Sequence, residues 1–190
     1  MKHVNLWATP VWEFDFDDVE HLNQLLLAEI YEFYKNSNLK TNKINLFDHN
    51  LPGMTELANR VNVCVDQAMK AGNFPMQFQG IQRGWATFIQ PGKQITPHSH
   101  HLTRLVAVYY PQVVTDQGDL NLLDPRSMDL LSDATIDNTR RRTYYRIPQR
   151  AGLLILFPGN LNHFSSQNNS NQTRISIAMN LDLRDLTDNL

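Results

Sequence analysis

Three of the chain's seven histidines, His98, His100 and His101, stand within four positions of one another in "ITPHSHHLTRLVAVYY", directly before an apolar run. Neutral imidazole is a ligand for iron, zinc, copper or nickel. If the segment enters a strand, alternation puts His98 and His100 on one face, where both can reach one metal ion, and His101 on the other. A single histidine there would be read as a solvated strand end. A same-face pair gives the metal site equal standing. His163 follows the apolar stretch "LLILFPGNLNH", beyond a turn at Pro158 and Gly159. Greek-key sheets bring sequence-distant strands together, so His163 is expected to complete the set. Eleven residues later Arg174 lies inside "TRISIAMNL", where a charge is expensive to bury without a partner. Alternation places Ser176 on the same face as Arg174, pointing inward if the pair holds a carboxylate. The competing expectation is an edge-strand arginine facing water.

The elements that must position these groups follow from hydrophobic period. "VNLWATPVWEFDF" mixes aromatic and β-branched residues with a proline, which suits an edge or irregular strand. Leu22, Leu25, Leu26, Ile30 and Phe33 recur at three and four behind Asp17 and Asp18, and so predict a helix. Leu57, Val61, Val65 and Met69 predict a second one, closed by Gly72. The second half changes period: "MQFQGIQRGWATFIQ", "TRLVAVYY", "DLNLL", "TYYRIP", "GLLILFP" and "TRISIAMNLDL" are short β-rich runs separated by Pro, Gly, Asn or Asp. The expectation is one domain over 1–190, mainly β with flanking helices (α+β), a helical part over about 1–76 and a jelly-roll core over about 77–183. Residues 126 to 142 read as a long connection, and the run Arg140 to Arg142 as its solvated end.

Bulk properties narrow the partners. Lys+Arg at 17 against Asp+Glu at 19 leaves the chain near neutral, which speaks against duplex nucleic acid and anionic membranes. No apolar run reaches the roughly eighteen residues that suggest a membrane span, and the N-terminus lacks a signal-peptide core. The lone Cys64 sits on a helical pattern, where a buried, inert thiol is expected. A cytoplasmic protein follows, and the Asn-x-Ser/Thr triplets at Asn168 and Asn171 are then a polar turn rather than glycan sites.

The ordered set "TPHSHHLTRLVAVYY", "GDLNLLDPR", "AGLLILFPGNLNHFSSQN" and "TRISIAMNL" resembles the 2-oxoglutarate/Fe(II)-dependent oxygenases, in particular a bacterial and phage group within the prolyl-hydroxylase-like superfamily. These stretches cover about half of the chain. The resemblance implies a double-stranded β-helix and a non-haem iron oxygenase, a hydroxylase of unspecified substrate, using Fe(II), 2-oxoglutarate and O2. It implies His98 and His163 as iron ligands, with Arg174 and Ser176 holding the distal carboxylate of 2-oxoglutarate through charge-assisted bonds. The position two after His98 carries His100 where the wider pattern has Asp or Glu. His100 as third ligand is favoured, and a carboxylate from elsewhere, Asp124 of "DPR" first, stays open. Of Tyr109 and Tyr110, which alternate in facing, one should enter the barrel and could bond the cosubstrate, and Tyr110 is the candidate. Trp85 and Arg126 are candidates for the substrate pocket, with Arg83 beside Trp85. The substrate would be a small molecule or a peptide side chain, and the helices could supply a homodimer interface. Two other readings stand beside this one: a cupin-type metalloprotein without 2-oxoglutarate, and a catalytically silent jelly roll with no metal.

Overall fold

The computed structural model describes residues 8–35, 44–125 and 144–186. Arg126 and the rest of the 126–142 connection, including Arg140 to Arg142, lie outside the described residues. The two helical patterns form α1 (Glu20–Lys35) and α2 (Pro52–Ala71). Leu22, Leu26 and Ile30 of α1 and Leu57, Val61, Val65 and Met69 of α2 are buried, so the three- and four-residue spacing turns one apolar stripe of each helix inward. Asp17 and Asp18 stop short of the helix start, and Val19 supplies the first carbonyl, to Asn23 N. Pro52 opens α2, where its missing N–H would have no intrahelical partner. No side chain of its own N-cap serves that end; instead Glu29, reaching across from α1, accepts from Gly53 N at 2.7 Å and Met54 N at 3.2 Å. A carboxylate at a helix N-terminus meets both the orphan donors and the positive end of the dipole.

All strand pairings between named elements are antiparallel. One sheet has five strands in the order β1 (Trp12–Asp15), β6 (Leu153–Pro158), β3 (Leu105–Tyr109), β8 (Arg174–Asp185) and β2 (Met76–Ile89). The other has three: β5 (Tyr144–Ile147), β4 (Leu120–Leu123) and β7 (His163–Ser165). The interleaved order is that of a double-stranded β-helix, as the strand runs predict. The aromatic N-terminal run takes the edge position expected of it, pairing Trp12 with Leu156 on β6. β7, only three residues long, is too short to announce itself in the sequence.

Alternation divides the core in two. Leu105, Ala107 and Tyr109 of β3, Leu154 and Leu156 of β6, and Ile175, Ile177 and Met179 of β8 face the helices. Val106 and Val108 of β3, Tyr110 just after it, and Leu153, Ile155 and Phe157 of β6 face the small sheet, against Leu120, Leu122 and Ile147. Cys64 lies buried in the helix-side core, and burial pushes its thiol up to about 11, which keeps it protonated and inert as expected.

Candidate functional site

The histidine segment does not enter a strand where alternation would have placed it. β3 begins only at Leu105, and residues 98 to 104 form a turn-rich entry to it. The backbone of this entry is pinned by the turn after β6 and by the first residue of β7. His98 and His163 form a reciprocal pair, His98 N to His163 O at 3.0 Å and His163 N to His98 O at 2.9 Å. His100 N donates to Gly159 O at 2.7 Å and Gly159 N to Arg104 O at 3.1 Å. A Cβ on Gly159 would lie 1.9 Å from Thr103 O. Only glycine lets the two turns approach this closely.

This docking of one turn on the other brings the three imidazoles together. One ligand nitrogen from each of His98, His100 and His163 lies within 4.8 Å of the other two, and the set could hold a metal ion. Ring centroids are 4.3 Å apart for His98 and His163, 5.2 Å for His100 and His163, and 5.5 Å for His98 and His100. Each ring has an oxygen at Nδ1: Thr96 O for His98 at 2.9 Å, Leu161 O for His163 at 2.9 Å, and Asn180 Oδ1 for His100 at 2.7 Å. Oxygens of this kind only accept, so Nδ1 carries the proton and the lone pair remains on Nε2. Burial holds His163 down to about 4, opposed by its backbone hydrogen bond and aided by the neighbouring imidazoles. Burial likewise lowers His100, with Asn180 acting against it. Both rings are therefore neutral near pH 7, the state in which imidazole binds metals.

No carboxylate belongs to this cluster among the described residues. Asp124 lines a separate hollow with Leu122, Leu123, Pro125, Tyr144 and Leu161. His101 is exposed and lies against Ser99, outside the set.

Arg174 opens β8, an interior strand flanked by β3 and β2, and is paired there with Ile89 of β2. It is 2% exposed. Its Nη1 donates to Gln117 O at 3.0 Å, while Nε, wholly buried, finds no partner among the described residues. An unpaired buried guanidinium donor costs free energy unless something accepts from it. Ser176 shares the inward face and is also buried. The two tyrosines separate. Tyr109 points to α1, where its hydroxyl donates to Asn23 Oδ1 at 2.6 Å. Tyr110 points between the sheets, and burial pushes its phenol well up while the Arg174 charge opposes that shift. Burial in turn pulls Arg174 down, with Tyr110 and Asp119 acting against it.

Beside the imidazoles a cleft of about 1060 Å³ opens to solvent, lined among others by Trp85, Thr87, Ile95, His98, His100 and Asn180. Trp85 stacks on His100 with centroids 5.8 Å apart and planes at 16°. Arg83 lines the same cleft. The residue missed in the sequence is Asn180. An asparagine in the middle of a long strand carries no signal until the strand's neighbours are known.

Residues 83–180, more than half of the chain, match the family model described as "Putative 2OG-Fe(II) oxygenase". No curated protein matches the chain. Among solved structures it is similar to a prolyl-4-hydroxylase from Pseudomonas putida, at 13% identity and a TM-score of 0.56 over 92% of this chain and 88% of the other. It is also similar to SnoN, a non-heme alpha ketoglutarate dependent epimerase from nogalamycin biosynthesis, at 14% identity and a TM-score of 0.62 over 90% of this chain and 75% of that one. AviO1 from Streptomyces viridochromogenes Tue57 gives 11% identity and a TM-score of 0.63, covering 91% and 89%. At such identities the likeness is one of fold.

Proposed function

The chain belongs to the 2OG-Fe(II) oxygenase family, and we propose that His98, His100 and His163 hold its iron(II) while Arg174, with Ser176 and Tyr110, holds 2-oxoglutarate. The observation that carries the reading is the preset imidazole cluster: three nitrogens within 4.8 Å, on rings whose Nδ1 positions each face an oxygen. The donor set suits the ion, since imidazole is an iron ligand and three neutral rings leave coordination positions for a chelating anion. When bound, iron with 2-oxoglutarate and O2 supplies oxidation of a substrate C–H bond coupled to decarboxylation of the cosubstrate.

The protein's own part is binding, orientation and exclusion of water. Arg174 offers the cosubstrate's distal carboxylate an Nε donor that has no partner among the described residues, and Ser176 and Tyr110 can add hydroxyl donors on the same inward side. Val106, Val108, Ile155 and Phe157 make the surroundings apolar, which strengthens a charge-assisted bond by excluding water. Substrate would approach through the Trp85 cleft, and a small molecule or a peptide side chain fits its open shape. Arg174 is what separates this reading from a cupin-type site, which would leave the buried guanidinium without a role. No described helix is long and apolar enough to cross a membrane.

Anaerobic titration with Fe(II) and then 2-oxoglutarate tests the proposal. The expected result is a weak visible charge-transfer band that appears only with both. Iron binding without the band would remove the cosubstrate role, and no binding would remove the metal site.

A further inference from the structure

The three rings are oriented in two different ways. His98 and His163 each meet a backbone carbonyl two residues earlier, Thr96 O and Leu161 O. A carbonyl can only accept, so the local chain itself dictates their protonation. His100 alone depends on a side chain from another strand, eighty residues away: Asn180 Oδ1, at 2.7 Å from its Nδ1. An amide has an accepting end and a donating end. With the oxygen toward the ring, Nδ1 bears the proton and Nε2 keeps its lone pair. With the amide turned over, Nδ2–H would donate to a bare Nδ1, and the proton would sit on Nε2, where it blocks a metal.

We propose that Asn180 is a positioning residue that selects the metal-binding tautomer of His100, an inference that rests on reading the three histidines as the iron ligands. Its backbone is fixed on both sides, opposite Val106 on β3 and Arg83 on β2, so its side chain leaves a strand that cannot easily shift. Met179 and Leu181, its neighbours on the opposite face, are buried in the helix-side core and hold the strand's rotation. Trp85 stacks on the ring and restricts its tilt. Being neutral, Asn180 orients His100 without adding negative charge to a cluster that contains no carboxylate. Partners of this kind typically change metal affinity by ~10–100-fold.

The test compares the full-length wild type with Asn180→Leu and Asn180→Asp, first without metal and then titrated with Co(II) under anaerobic conditions. Nitrogen-15 NMR of the imidazoles distinguishes a protonated from a bare Nδ1 in the metal-free protein, a readout independent of activity. Wild type should show His100 with Nδ1 protonated. Asn180→Leu should mix the two tautomers and weaken Co(II) binding by ~10–100-fold. Asn180→Asp, which can only accept, should restore the single tautomer and bind at least as tightly as wild type. A shape-filling role alone predicts that Asn180→Asp is no better than Asn180→Leu, and that result would overturn the proposal, as would an unchanged tautomer in Asn180→Leu. If Asn180→Leu fails to fold, the tautomer and affinity of Asn180→Asp still decide. Failure of wild type to bind Co(II) would instead strike the metal reading, while the tautomer measurement would still judge Asn180.

Discussion

The two faces of β8 are built from alternate residues of one strand and obey different rules. Ile175, Ile177, Met179 and Leu181 turn toward α1 and α2 and lie in a core where neighbours are interchangeable in kind. Arg174, Ser176 and Asn180 turn the other way, and each presents a particular polar group: a buried guanidinium whose Nε has no partner among the described residues, a buried hydroxyl, and an amide on His100. Six residues separate Arg174 from Asn180, roughly 20 Å of extended chain, so one strand face runs from the proposed carboxylate grip to the proposed metal end. Rigidity is supplied on one side of the strand and used on the other.

Breaking the site face at the metal should have the largest effect. His163→Ala on β7 removes a proposed ligand rather than a ligand's partner, so iron-dependent turnover of 2-oxoglutarate should fall by more than ~100-fold. Retained turnover, measured as succinate or CO2 released, would end the assignment.

On the helix face, Ile177→Ala leaves a hole in a fully buried position and should cost ~2–5 kcal/mol of stability. Iron affinity should hardly change at temperatures where the variant is folded. Denaturant unfolding beside a metal titration separates the two effects, and a matched loss of affinity would show that the faces are not independent.

Arg174→Leu should act mainly on the cosubstrate, raising its KM by about ten- to a hundredfold, in keeping with ~1.5–3 kcal/mol for a hydrogen bond to a charged group. A fall in kcat with unchanged KM would instead place the guanidinium in the chemistry. Ser176→Ala, losing one neutral hydrogen bond, should change KM only several-fold.

A smaller and more general effect concerns pH. His163 is held down to about 4 in the fold, chiefly by burial, against about 6.5 for an unperturbed histidine. Between those values the unfolded chain binds the proton and the native chain does not. Stability of the metal-free protein should therefore be full above roughly pH 6.5 and decline as pH falls toward 4. His163→Gln should flatten that slope in urea denaturation measured across the window.

Much of this was legible from residues alone. The helix stripes, seven of the eight strands and the shared face of Arg174 and Ser176 follow from local period, because burial on one face imposes that period; the three candidate histidines were legible from residue type and position. What was illegible shares a cause. β7 is three residues long and exists only because β4 lies beside it, and the α2 cap is Glu29, from another helix. Alternation also misjudged how His98 and His100 come together, since the chain has not yet entered β3 at that point.

The sequence by itself determined which groups are available: three imidazoles in two segments, a guanidinium and hydroxyl on one strand face, and a glycine at the turn. Tertiary structure decided which nitrogen each imidazole presents, that Tyr110 rather than Tyr109 turns between the sheets, and that Asp124 lies in another hollow. Side-chain identity is local, but a hydrogen-bond partner eighty residues away is a property of strand register, and register is fixed only when both faces of the sheet have found their cores.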